Sequence, residues 1–343
     1  MNQFSKFLCI CLGIASSISM ASVASAQSDR LYDTSGKNIS GTVAQTSSKG
    51  VQIKRGSNTE TFLAADIEKI LYEGDPGALT QAREFAIDGQ YEQAIEELKK
   101  VDPKTIKRKI IAADYAYYNA LCNGKLALAG RQPKDAAAKM VIGFIGEYRD
   151  SWHLFDAAKL LGDLALALGN YSEATKYYKY MEQAASPDTK IESVYLQAMV
   201  AVRQDQNDAA IAMFDKIIDL SAQTPQTLRT KDLSKAGKAV ALAQSGKADA
   251  GLKLVNELID DLNPSDIEMG ARIYNAQGAC FEVAGDDEGS VLAYLHTHLM
   301  FSGQPDAHAE ALLRLVELWP QLGKPERAAE ARQELQQRYP GAL

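Results

Sequence analysis

The sequence predicts a mainly α-helical chain, a right-handed α-solenoid of about seven helical hairpins preceded by a small all-β barrel. Three observations carry this. Small residues recur in pairs twelve positions apart, six times between residues 82 and 290, with a last unit at Val316/Ala328. Residues 29–72 instead alternate apolar and polar side chains in short runs, the period of half-buried strands. Residues 1–26 have the make-up of a secretory signal. The expected organisation is therefore a signal at 1–26, a β module at 27–75 and a solenoid at 76–343.

Composition narrows the function classes. Of 343 residues, 46% are hydrophobic and 24% charged, as in ordinary folded proteins. The net charge of −7 argues against a general binder of phosphate backbones.

In the first segment, Lys6 precedes the apolar run Phe7–Ala15, and Ala24-Ser25-Ala26 is a small-residue cleavage site. The run is far shorter than the ~20 residues a spanning helix needs. The chain is thus expected to be exported, to a bacterial periplasm or an extracellular or cell-envelope location, and not to span the membrane after cleavage. Cys9 and Cys11 leave with the signal; Cys122 and Cys280 read as small buried core residues, not a disulfide.

The strand runs are Ile39–Gln45, Gly50–Lys54, Glu60–Leu63 and Ile67–Tyr72, with Arg30–Tyr32 as a further short one. Ala64-Ala65-Asp66 reads as a single 3₁₀ turn. This order resembles Sm-like or Src-homology-type small barrels. Some such barrels bind RNA or proline-rich peptides through aromatic side chains. Here only Tyr32, Phe62 and Tyr72 are available, so a docking module is expected, with no nucleic-acid partner.

From Pro76 onward the pattern is helical. The small pairs are Ala82/Ala94, Gly124/Ala136, Gly162/Ala174, Ala198/Ala210, Ala239/Gly251, Gly278/Ser290 and, less regularly, Val316/Ala328. Large residues follow four and seven positions on, as in Phe214 and Ile217 or Val255 and Leu258. Two antiparallel helices meet closely only where side chains are small, and larger ones fill the gap to the next hairpin. Glycines such as Gly169 end the first helix of a unit, and prolines such as Pro187, Pro225 and Pro305 follow the second.

Leu160–Tyr178 and Tyr274–Gly285, with Gly89-Gln90-Tyr91-Glu92-Gln93-Ala94-Ile95 and the closing Tyr339-Pro340-Gly341, carry a resemblance to the tetratricopeptide repeat family across residues 76–340. The spacing departs from it: units start 36 to 42 residues apart, against about 34 in the family. The second unit reads as degenerate, with Gly143 where a bulky residue is expected. The last has Arg332 at an aromatic position and Pro320 near the end of its first helix, as in a cap.

The resemblance implies a concave wall built from the first helix of each pair. Carried over residue by residue, the groove-lining pattern falls on Asp156, Lys159, Asp163, Tyr195, Met199, Arg203, Arg272, Asn275 and Glu282. Only Lys159 matches the set with which co-chaperone members clamp a C-terminal carboxylate. The expected partner is a protein or extended peptide.

No catalytic or metal-binding motif stands out. His296 and His298, two apart on a helix, point to different faces; Cys122 and Cys280 lack a zinc spacing. There is no phosphate loop and no nucleophile turn. Asp286-Asp287-Glu288 reads as the start of a helix. Neither enzyme activity nor a cofactor is expected. Tyr115, Tyr117, Tyr118, Tyr171, Tyr177, Tyr178 and Tyr180 read mainly as inter-helix packing. The function expected is a non-catalytic adaptor or scaffold. The rivals are a self-assembling envelope component and a cell-wall (peptidoglycan) binder.

Overall fold

The computed structural model describes residues 28–341; residues 1–26, read above as a signal, lie outside them. Five strands come first: β1 (Asp29–Asp33), β2 (Asn38–Ser47), β3 (Gly50–Arg55), β4 (Asn58–Leu63) and β5 (Ile67–Leu71). A 3₁₀ turn at Ala64–Asp66 separates the last two. The strands form an antiparallel sheet in the order β4-β3-β2-β1-β5. The β2 register shifts between Val43 and Gln45, a bulge that bends the sheet. Leu31, Ile39, Val51, Ile53 and Ile70 form its buried face. No ladder joins β4 to β5 among the described residues, so the pairing is that of a small sheet rather than a hydrogen-bonded closed barrel.

Fourteen α-helices follow as seven hairpins: α1 (Gly77–Ile87) with α2 (Tyr91–Leu98), α3 (Lys109–Leu128) with α4 (Lys134–Glu147), α5 (Leu154–Ala167) with α6 (Tyr171–Tyr180), α7 (Pro187–Arg203) with α8 (Asn207–Ile218), α9 (Pro225–Gln244) with α10 (Ala248–Asp260), α11 (Ile267–Ala284) with α12 (Asp287–Met300), and α13 (Pro305–Leu318) with α14 (Pro325–Arg338). Pro187, Pro225 and Pro305 are the first residues of α7, α9 and α13, where the missing N–H has no helical partner to lose. They open the following unit more than they close the preceding one.

The small residues sit at the helix crossings. Ala82, Ala94, Ala174, Ala198, Ala210 and Ala239 are completely buried. A Cβ on Gly278 would lie 2.7 Å from the Tyr294 ring, and one on Gly162 would collide with the Tyr178 ring. Ser290 is buried and donates to the Gly278 carbonyl at 2.6 Å. The follow-on residues Leu98, Tyr178, Met181, Phe214, Ile217, Val255 and Tyr294 are all buried. So is Thr297, whose hydroxyl is satisfied by the Ala271 carbonyl at 3.2 Å.

The second hairpin corrects the reading made from spacing. Its small pair is spaced thirteen positions apart, Gly124 to Ala137, and the buried small residue is Ala137, not Ala136. Val141 and Phe144 then fall four and seven positions on and are buried. Gly143 is exposed, with nothing within 4 Å of its ideal Cβ. The unit is regular, with its register displaced by one. The α7–α8 turn lacks a glycine and uses Asp205 at φ 56°, a left-handed conformation that aspartate tolerates better than most residues.

Sheet and solenoid share one hydrophobic core, running from Leu31 through Leu79 to Leu164. A polar network crosses the same junction. Arg108 donates to both carboxylate oxygens of Asp29 at 2.6 and 2.9 Å. Asp29 also accepts from the backbone N–H of Val43 and of Glu73, each at 2.7 Å. Arg83 is wholly buried; it donates to Asp114 at 2.6 and 2.8 Å and to Asp75 at 3.0 Å. His153 Nε2 meets the other Asp114 oxygen at 2.9 Å, with its ring between those of Tyr117 and Trp152. Tyr117, Tyr118 and Tyr178 are buried and Tyr115, Tyr171 and Tyr177 half-buried. Cys122 and Cys280 are free and buried, their thiols pushed up to about 12 by burial.

At the other end, the solenoid curls back on itself. Gly341 approaches the α3–α4 turn so closely that a Cβ on Gly130 would lie 2.6 Å from its nitrogen. Lys134 donates to the Gly341 carbonyl at 3.0 Å. No described helix is long and apolar enough to cross a membrane.

Two outcomes are expected in chemical denaturation. Gly278→Ala should cost about 1–3 kcal/mol by overpacking against Tyr294, whereas Gly143→Ala should gain up to about 1 kcal/mol. Equal effects would contradict the register. Asp114→Ala should cost about 3–5 kcal/mol, since it strips a buried cation of a partner. Burial acts to raise the Asp114 pKa, but Arg83 and then His153 outweigh it and hold the carboxyl below its ordinary 3.8. A carboxyl lower in the folded than in the unfolded state stabilises fully above its unfolded pKa, and this is lost as pH falls through the folded value. Melting followed against pH should show the junction intact at neutral pH and weakening below about pH 4; Asp114→Ala should flatten that acid limb.

Candidate functional site

The inner wall is formed by the odd-numbered helices. Each buries small and aliphatic residues toward its neighbours and turns longer polar ones into the hollow. On α11 this gives Glu268, Arg272 and Asn275; on α13, Asp306, Glu310 and Arg314, three and four residues apart, hence on one face. Ion pairs cross from helix to helix. Lys159 on α5 pairs with Glu192 on α7. Arg229 on α9 pairs with Asp266 and with Glu268, the latter at 2.7 Å. Arg272 bonds Glu268 within α11 at 3.3 Å and reaches across to Asp306 on α13 at 3.0 Å.

Arg203 on α7 bonds Glu310 on α13 at 3.2 Å, although α9 and α11 lie between them in sequence. This pair spans a groove of about 330 Å³. α9 lines it with Leu233, Ala236, Gly237 and Val240, and α11 adds Ala276 and Ala279. Tyr195, Met199, Arg203, Arg272 and Asn275 line it, so five of the nine sequence-derived positions converge there.

The other four lie elsewhere. Asp156 is exposed on the first turn of α5, and Lys159 is engaged by Glu192. Asp163 accepts from the Tyr178 hydroxyl at 2.7 Å. Glu282 accepts from the Tyr294 hydroxyl at 2.5 Å. The sequence reading overlooked Glu310 and Arg314 in the groove. Their signal was present as the charge stripe Asp306, Glu310, Arg314 at helical spacing, within a unit set aside as an atypical cap.

The charges hold one another ionised. Burial acts to raise Asp306, but Arg272 overrides it and keeps the carboxyl below its ordinary value. Burial opposes Glu268 in the same way, and Arg229 and Arg272 outweigh it. Lys159 is raised, because Glu192 and Asp163 outweigh a desolvation that would lower it. Asp156 has no such partner at bonding distance among the described residues; solvent reaches its side chain, but the protein crowded around it still favours the neutral form and raises its pKa.

One group in the groove is left over. Asn275 is 7% exposed, and its Nδ2 donates to the Ala307 carbonyl at 2.8 Å. Its Oδ1 is buried and has no hydrogen-bond partner among the described residues. A larger hollow of about 490 Å³ lies between α8, α9, α10 and the start of α11. There Lys235, Lys238 and Arg229 are already paired with Asp232, Asp215 and Asp266.

With this geometry in view, two solved structures are informative. A tetratricopeptide repeat protein from Parabacteroides merdae ATCC 43184 superposes with a TM-score of 0.51 at 14% identity, over 76% of this chain and 91% of that one. A Rap protein complexed with Competence and Sporulation Factor superposes with a TM-score of 0.52 at 14% identity, over 77% of this chain and 76% of that one. The fold is a tetratricopeptide-type α-solenoid. At that identity the likeness concerns the fold alone. No family model and no curated sequence matches the chain.

The α7–α13 bridge is an accessible ion pair, and such pairs contribute about 0–1 kcal/mol. Arg203→Ala should therefore leave the melting temperature almost unchanged. Asn275→Asp, which places a carboxylate where the amide bonds Ala307, should lower it clearly. Thermal melts of the two variants beside the parent check both.

Proposed function

We propose that the chain is a non-catalytic adaptor that binds an extended peptide segment of a partner protein in the groove between α7, α9, α11 and α13. The observation that carries this is the meeting of Tyr195, Met199, Arg203, Arg272 and Asn275, five of the nine repeat-register positions, in that one groove. A groove of mixed apolar and polar lining suits an extended peptide, whose side chains can pack on Tyr195 and Met199. Arg203, Arg272, Glu310 and Arg314 offer both charges to its side chains. The complexed Rap protein has the same fold, which makes a ligand-bound solenoid of this kind physically reasonable.

On this reading, export to the periplasm or envelope follows from residues 1–26, and the sheet is a docking module fused to the first hairpin. Self-association is a second reading, favoured by the exposed Leu292, Leu299 and Met300 on the outer face of α12.

Selection of random-sequence peptides displayed on phage tests the main reading. Enriched peptides should bind the parent chain and lose about tenfold or more in affinity to Met199→Arg and Arg203→Glu, a change of about 1.4 kcal/mol. Lys253→Glu on α10, outside the groove, should bind normally. Absence of enrichment, or equal binding by all variants, would contradict the assignment. Concentration-dependent light scattering abolished by Leu299→Arg would favour self-association instead.

A further inference from the structure

We propose that His298, His308 and Glu334 form a site for a divalent transition-metal ion of the zinc class. The residues come from three helices, α12, α13 and α14, and one ligand atom from each falls within 4.8 Å of the others. His298 Nδ1 and His308 Nε2 are 2.9 Å apart, with the two rings nearly parallel at 9°. Glu334 Oε1 lies 4.0 Å from His308 Nε2, and Oε2 lies 3.8 Å from His298 Nε2.

Ligand atoms at about 2.0–2.2 Å from a tetrahedral ion are roughly 3.3 Å from one another. His298 faces the other two with different nitrogens, Nδ1 at 2.9 Å from His308 and Nε2 at 3.8 Å from Glu334, so its ring must turn to present one of them to an ion. Closing on an ion requires small rotamer shifts of His298 and Glu334, both partly accessible, while buried His308 stays in place. Two imidazoles and one carboxylate favour zinc, cobalt or nickel over magnesium or calcium. Three protein ligands leave a fourth position for water.

A hydrogen bond that would orient the buried histidine is also present. His308 Nδ1 meets the buried Tyr339 hydroxyl at 2.8 Å. With Nδ1–H donating there, the Nε2 lone pair faces the cluster, the usual support for a metal-bound histidine. Arg338 donates to Glu334 Oε1 at 3.2 Å and to the Ser302 carbonyl at 3.4 Å. Its charge opposes a metal ion, so its removal should strengthen binding. The site lies two residues beyond Asp306, where an ion would clasp the last hairpin and fix the start of α13. Sequence motifs do not reveal it, because each ligand sits in a different helix.

The test is titration of the tag-free full chain with Co2+ and with Zn2+. Thiols such as those of Cys9 and Cys11 are themselves able to take up such ions, so the difference between parent and His298→Ala is the readout. The parent should take up one equivalent of Co2+, with the visible absorption of a tetrahedral nitrogen/oxygen site, that His298→Ala does not. Glu334→Gln, which changes an accessible carboxylate, should bind about tenfold or more weakly, and Arg338→Gln more tightly than the parent. Zn2+ should raise the melting temperature of the parent and not of His298→Ala. Equal Co2+ uptake and equal melting shifts in parent, His298→Ala and Glu334→Gln, or no uptake by the parent, would overturn the proposal. His298 and His308 would then be only a hydrogen-bonded pair ending on Tyr339, with Glu334 held beside them by Arg338.

Discussion

Everything in the solenoid depends on the close approach of paired helices at small residues. A Cβ on Gly278 would meet Tyr294, and one on Gly251 would lie 2.6 Å from the Ala239 carbonyl. Because the backbones meet there, the aromatic and aliphatic residues one and two turns further on reach the next hairpin. Repeated seven times, this places all odd-numbered helices on one side. Their polar residues then have nowhere to point but the hollow. The groove is a consequence of hairpin packing, not a separately built feature.

The hollow is lined by charges that neutralise one another from helix to helix. Arg272 between Glu268 and Asp306, and Arg229 beside Asp266 and Glu268, hold the carboxyls ionised against desolvation. Such pairs contribute little net stability where solvent reaches them; they set the relative positions of neighbouring helices. At the other end of the chain, Arg83 with Asp75 and Asp114 is buried, and leaving one partner unpaired costs far more. The sheet is anchored to the solenoid through that network and through Asp29 with Arg108.

Much of the fold was legible because it is periodic. The seven hairpins, the five strands and the 3₁₀ turn all follow from side-chain spacing within short windows. The one register error, Ala136 for Ala137, came from assuming a constant spacing within each small pair. An extra residue between the paired positions leaves the periodicity of each helix intact and moves only their relation. Closure of the sheet was less legible, since strand runs do not reveal whether the two edges pair. In the groove, Tyr195, Met199, Arg203, Arg272 and Asn275 were reachable from a repeat register. Contacts between distant units were not. Arg203 with Glu310, and Lys134 with Gly341, depend on how tightly the superhelix curls, a sum of small rotations spread over the whole chain. The cluster of His298, His308 and Glu334 was illegible for a related reason, being assembled across three helices.

The central claim is that the inner wall, and not the outer surface, receives the partner. Site-specific photo-crosslinking in the source cell tests it most directly, with the photoreactive residue placed at Met199 inside the groove or at Leu292 on the outer face of α12. The account predicts a discrete adduct from position 199, with mass spectrometry placing the link in an extended segment of one partner, and none from 292. Adducts from position 292 alone, or the same adducts from both, would contradict it.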